Sequence, residues 1–147
     1  MQLASESAGI VAVIDPDANA AGALTSAWVD MGDWETIQAI ILNGTMGTSG
    51  TLDAKLQQAT DSSGTSAKDI SGKAITQLTD AGTDSDKQAV INCTGAELDV
   101  AGGFTHVALV MTTAVATGDS AGLILGHNPR NGPATDNDLS TVDEVVD

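Results

Sequence analysis

The sequence predicts an all-β protein, an antiparallel β-sandwich or jelly roll of about eight strands with extended N- and C-terminal arms. Three observations predict it. Short apolar runs recur at a spacing of roughly 10–15 residues, each bounded by turn formers. No long stretch carries a convincing helical period. Sixteen glycines against three prolines are spread along the whole length, as many short elements and turns require.

The first run, Ala8–Ile14, is closed by Asp15-Pro16-Asp17. Ala18–Trp28 is alanine-rich, but Gly22 and its neighbouring turn residues predict a loop or arm there. Leu24–Met31 alternates moderately. Gly32-Asp33 then turns into Trp34–Asn43, whose Ile40-Ile41-Leu42 centre predicts burial on both faces. Thr51–Ala59 alternates cleanly, with Leu52, Ala54 and Leu56 on one side and Asp53, Lys55 and Gln57 on the other. Asp61-Ser-Ser-Gly64 is a loop, followed by short runs at Ala67–Ile70 and Ala74–Leu78. Lys87–Cys93 places Ala89, Ile91 and Cys93 on one face. Phe104–Ala114 and Ala121–His127 are the last strands, joined by a turn at Gly118-Asp119. The organisation expected is therefore residues 1–22 as an N-terminal arm or first strand, 23–127 as the sandwich, and 128–147 as a C-terminal arm. Leu139, Val142, Val145 and Val146 recur there at helical spacing, and Thr141-x-x-Glu144 is a capping-box pattern, so a short helix is expected near the end.

At 147 residues the chain can bury a single core without disulfides or metals. Aromatics make up only 2 % of it, as Trp28, Trp34 and Phe104, so aliphatic side chains must fill the interior. Twenty acidic residues against five basic ones give a net charge of −15, from which no basic patch can be assembled. That excludes nucleic-acid phosphates and anionic lipid as partners. Cys93 is the only cysteine, so no intramolecular disulfide forms. The opening MQLASESAG lacks a basic region before its apolar run, and no apolar run approaches the ~20 residues that span a bilayer. A soluble protein made and used without export is expected, and Asn43-Gly-Thr45 and Asn92-Cys-Thr94 are then chance matches to the glycosylation pattern.

No catalytic set emerges. Gly118-Asp-Ser120-Ala-Gly122 matches G-x-S-x-G, but a serine elbow needs a base and a helix after the serine, whereas Leu123-Ile-Leu125 is strand-like. The motif is expected in a β-hairpin turn, with His106 and His127 as the only histidines to serve it. Asp15-x-Asp17-x-Asn19 opens like a calcium loop, yet Ala20 and Ser26 stand where glycine and a bidentate glutamate are required. Asp80, Asp84 and Asp86 read as solvated turn formers. One cysteine and two distant histidines make no zinc site, and no phosphate-binding glycine loop is present. Glycoside hydrolysis lacks aromatic platforms to spare from the core. Neither an enzyme nor a cofactor is expected.

Several stretches carry a resemblance: Trp34-Glu-Thr-Ile37, Asn43-Gly44, Thr51-Leu-Asp-Ala-Lys-Leu-Gln57-Gln-Ala-Thr-Asp61-Ser, Asp69-Ile70, Lys87-Gln-Ala-Val-Ile91, Phe104-Thr-His-Val-Ala-Leu-Val110 and Leu123–Arg130. They resemble small structural proteins of tailed bacteriophages and prophages. The closing Asn128-Pro-Arg-Asn-Gly-Pro-Ala-Thr-Asp-Asn-Asp-Leu139 looks like a branch found in phages of marine and related bacteria. The resemblance runs from about Ala27 to the end and includes no catalytic signature; the chain departs from it in having fewer aromatics, with Trp34 where Phe or Tyr is common. Within that class it implies a capsid decoration, or cement, protein: a β-rich homotrimer on the outer capsid surface, assembled in the bacterial host cytoplasm and bound to the major capsid protein. A head-tail connector or tail component is one alternative, and a carbohydrate-binding module for host attachment, using Trp28 or Trp34, is another.

Two segments are candidates for holding a partner. The apolar hook of Leu139, Val142, Val145 and Val146, together with Arg130, is expected to contact another subunit rather than its own domain. Ile10, Val11, Val13 and Ile14 either add an edge strand to a neighbour or form the first strand of the domain's own sheet.

Overall fold

The computed structural model describes residues 1–146. A four-residue helix, α1 (Ala4–Ser7), leads into ten strands: β1 (Ala8–Asn19), β2 (Gly22–Thr25), β3 (Val29–Asp30), β4 (Trp34–Met46), β5 (Thr51–Ala59), β6 (Lys68–Ala74), β7 (Leu78–Thr79), β8 (Gln88–Thr94), β9 (His106–Ala114) and β10 (Gly118–Pro129). They form two antiparallel sheets. The first runs β1-β10-β4-β8; the second runs β2-β9-β5-β6, with β3 beside β9 and β7 beside β5. The sandwich expected from the apolar runs is the fold observed.

The core lies between the sheets and is filled by alternate residues of the long central strands. Ile37, Ala39 and Ile41 from β4, Leu52, Ala54 and Leu56 from β5, Val107, Leu109 and Met111 from β9, and Ile124 from β10 are all buried. Each set is spaced by two, the period of a strand with one face inward. The edges are joined across the sandwich by Lys73 of β6. It donates to the Asn92 carbonyl of β8 at 2.7 Å and pairs with Glu97 at 2.7 Å. The Lys73 hydrogen bond, followed by the Thr94 backbone N–H, holds the Glu97 carboxyl below the usual carboxylate range.

Trp34 is the largest side chain in this core, and two glycines make room for it. It is 2 % exposed. A Cβ on Gly126 would enter the Trp34 ring, and one on Gly9 would meet its edge at 3.2 Å. β10 thus combines apolar bulk at Ile124 with bare backbone two residues later, because the indole occupies that space.

Several local expectations are corrected. β1 does not stop at Asp15-Pro16-Asp17; register shifts between Ile10 and Ala12 and between Ile14 and Asp17 carry it on to Asn19. Pro16 is tolerated because it sits in a bulge of an edge strand, where its missing N–H leaves no partner wanting. The segment Ala18–Trp28 is not a loop or arm throughout: β2 forms within it and pairs with β9 from Gly22↔Thr113 to Thr25↔Val110. All four β2 side chains are exposed, so only backbone bonding defines it and no alternation announces it. β9 and β10 do not form a hairpin, since they belong to opposite sheets. Val115, with φ 69, turns the chain between them, an unusual conformation for a β-branched residue.

Cys93 is buried in β8. Burial first, then the nearby Glu97 carboxylate, pushes its thiol up to about 11. At pH 8 only about one molecule in a thousand would carry a thiolate, the reactive form. An aromatic disulfide reagent should therefore label native protein far more slowly than protein in denaturant; prompt stoichiometric labelling of the native chain would contradict this placement.

Candidate functional site

The segment after β10 is partly built into the domain. Arg130 donates its backbone N–H to Asp33 O at 2.9 Å, while its side chain lies on an exposed residue. Ala134–Asn137 forms a short 3-10 turn, and Ala134 is fully buried in the common core. The Asp138 carboxylate then accepts the Ile10 backbone N–H at 2.7 Å, and Leu139 donates its own N–H to Ile10 O at 2.9 Å. These two bonds satisfy the outward-facing polar groups of Ile10, on the side of β1 away from β10. They block an otherwise open sheet edge at that point. Gly9 is required beside this clip, because a Cβ there would lie 2.9 Å from both Ala134 O and an Asp138 carboxylate oxygen.

Beyond the clip the chain changes character. Val142 donates to Leu139 O at 2.9 Å and is half-buried, whereas Val145 and Val146 are 44 % and 82 % exposed. No helix forms at Thr141-x-x-Glu144: residues 142–146 carry no regular structure. The pattern is too short to repay helix nucleation without a surface to pack on. The segment and α1 enclose an open cleft of about 470 Å³, lined by Leu3, Glu6, Leu139, Val142, Glu144 and Val145 among others.

The structure therefore brings Leu139, Val142 and Val145 together at one cleft and places Ile10 beside it. It does not bring Val11 or Val13 there. Val11 packs against the core, and Val13 lies on the outer face of the four-stranded sheet, opposite Leu123. Val146 does not line the cleft. The expectation that the whole hook avoids its own domain is corrected at Leu139, which is clipped to Ile10. The boundary expected after His127 differs from the structure too, since β10 runs on to Pro129 and Ala134 belongs to the core. Asp138 carries no signal in the sequence; an aspartate among loop residues gives no sign that it caps a strand more than a hundred residues away.

The motif residues fall elsewhere. Ser120 lies inside β10, not in a hairpin turn; it is buried, and its hydroxyl accepts a hydrogen bond from the Asn19 side chain at 2.8 Å. His127 is on the same strand, but an odd number of residues away and so on the opposite face. His106 opens β9, whose far end, at Thr113, is the part that approaches Ser120. The cavity beside Ser120 measures about 10 Å³, room for no more than a water. The loop aspartates serve turns: Asp84 accepts the Thr79 N–H and pairs with Lys87, and Asp80 accepts the Ser49 N–H. Trp34, buried, has no ring face to offer a sugar, and Trp28 packs against Gly64. Among the described residues no cluster of candidate metal ligands occurs, and no helix is long and apolar enough to cross a membrane.

No protein-family model matches the sequence, and no curated protein does. Among solved structures, the chain is similar to one from an empty virus-like particle of Cowpea Mosaic Virus, over 90 % of this chain and 87 % of that one, at 12 % identity and a TM-score of 0.44. A chain of Broad Bean Stain Virus is similar over 71 % of this chain and 58 % of that one, at 12 % identity and TM-score 0.42, so the sequence spans little more than half its length. One of infectious bursal disease virus is similar over 87 % of this chain and 33 % of that one, at 12 % identity and TM-score 0.43.

Proposed function

We propose that this is a virion structural protein, a capsid decoration protein that binds the major capsid protein from the outer surface of the shell and associates with further copies of itself. The observation that carries the reading is the division of the C-terminal segment. Ala134–Leu139 is fixed to the domain by burial and by the Ile10 clip, and Val145 and Val146 then present apolar side chains to solvent. A fixed base with an uncovered apolar end suits a contact made with another subunit. Several such ends on one oligomer raise occupancy through effective concentration even where each binds weakly. The net charge of −15 favours the outer surface over a DNA-filled interior. The resemblance of Trp34–Ile37, Thr51–Ser62 and Asn128–Leu139 to phage structural proteins points the same way.

A chain ending at Ser140 keeps Ala134, Asp138 and Leu139. It should fold normally and lose most of its occupancy on expanded heads, measured by co-sedimentation with capsids. Unchanged occupancy would reject the role given to Val142–Val146.

A further inference from the structure

The outer face of the four-stranded sheet is built unlike the rest of the surface. Register places Val13, Leu123, Ile40 and Val90 side by side across β1, β10, β4 and β8. The row on one side reads Ile10, Leu125, Gln38 and Asn92, and the row on the other reads Ala121, Leu42 and Gln88. The β1 end of the last row is the bulge at Asp15 and Pro16, and exposed Asp15 is the one ionisable side chain in these rows, in a chain with twenty acids. Leu42 and Val90 are 43 % and 52 % exposed. The opposite sheet is conventional, with Asp53, Lys55, Gln57 and Asp69 on its outward side and the ion pair Lys55–Asp69 among them.

We infer that copies of this chain meet on the Val13–Leu123–Ile40–Val90 face. This deepens the reading above by naming the surface for self-association, and it is tested in solution without capsids so that the two fail separately. The argument is electrostatic as well as hydrophobic. Two chains of charge −15 repel wherever their acidic surfaces approach, so a homotypic contact needs a face nearly free of charge. A basic partner would instead seek the acids, of which these rows hold only Asp15, at one corner. Four strands about 4.8 Å apart and three rows deep give a face on the order of 400 Å² per copy, about 800 Å² over both partners, the size of a weak, transient contact rather than of a standard interface. Association should therefore be concentration-dependent and in the micromolar range.

Sedimentation from about 1 to about 200 μM tests this. The wild-type chain should pass from monomer to oligomer, and added salt should strengthen association by screening self-repulsion. A two-fold contact would give a dimer and three faces around an axis a trimer; both bury this face. Val90→Glu should weaken association at least about tenfold, because it sets like charges against each other in the contact. Gln88→Glu, near-isosteric and exposed, gives up only the surface bond from its amide to Asp86 O; it should weaken association in the same direction and decides the matter if Val90→Glu folds poorly by circular dichroism. Ala23→Glu, on the exposed β2 of the other sheet, should change nothing. A wild-type chain that stays monomeric throughout overturns the inference and gives the face to another partner. So does association that both face variants leave unchanged, or association that weakens as salt rises.

Discussion

Gly126→Ala should destabilise the domain by about 3 kcal/mol, the upper part of the range for forcing extra volume into a packed core. The added methyl would enter the Trp34 ring. Neither side has room to retreat, since Trp34 is backed at its edge by Gly9, which itself lies against Ala134 O and Asp138. Urea unfolding followed by tryptophan fluorescence measures the loss directly. Trp34→Leu made in the Gly126→Ala background should be less harmful than Trp34→Leu alone, because the methyl then fills part of the space vacated by the ring. Energies that simply add would show that the two positions are uncoupled. An unchanged urea midpoint for Gly126→Ala would mean that the indole does not occupy this slot.

Removing Asn128–Asp147 should cost the fold about 3 kcal/mol or more, whereas ending the chain at Ser140 should cost less than about 1 kcal/mol. The longer deletion takes away fully buried Ala134, half-buried Leu139 and both bonds to Ile10. It also opens the edge of β1, and an unprotected edge invites pairing between chains. The shorter deletion removes mostly exposed side chains and the single bond from Val142 to Leu139. Equal stabilities for the two truncated chains, by thermal or urea unfolding, would show that the clip contributes nothing.

The parts of the fold legible in the sequence are those set by local forces. Thr51–Ala59 is readable residue by residue because one face is buried and the other wet, so composition records the pleat. β2 is not, because its side chains all face solvent and its place is set by backbone bonding to β9. The turn expected at Gly118-Asp119 falls earlier, at Val115–Thr117, and those two residues already belong to β10 in the other sheet; strand pairing is decided by partners far away in sequence. Ile40-Ile41-Leu42 predicts burial on both sides. Only Ile41 is in the core, and its neighbours lie on the outer face of the sheet. The run records a surface poor in charge, with Leu42 still 43 % exposed. The hook at Leu139–Val146 has helical spacing without the length to make a helix, so its residues adopt tertiary contacts where these exist and are irregular where they do not.

The clip at Ile10 also bears on the order in which the molecule can be completed during synthesis. Ile10 and Asp138 are separated by 128 positions, and β1 pairs only with β10. While the ribosome is still adding the middle of the chain, β1 has neither of its neighbours, and β4 can pair with β8 but lacks its other flank. The four-stranded sheet must therefore wait until β10 has emerged, as expected of a topology dominated by distant pairings. Until then β1 has no strand to pair with, and Pro16, which lacks an N–H to donate, is what the strand itself carries against pairing with another chain.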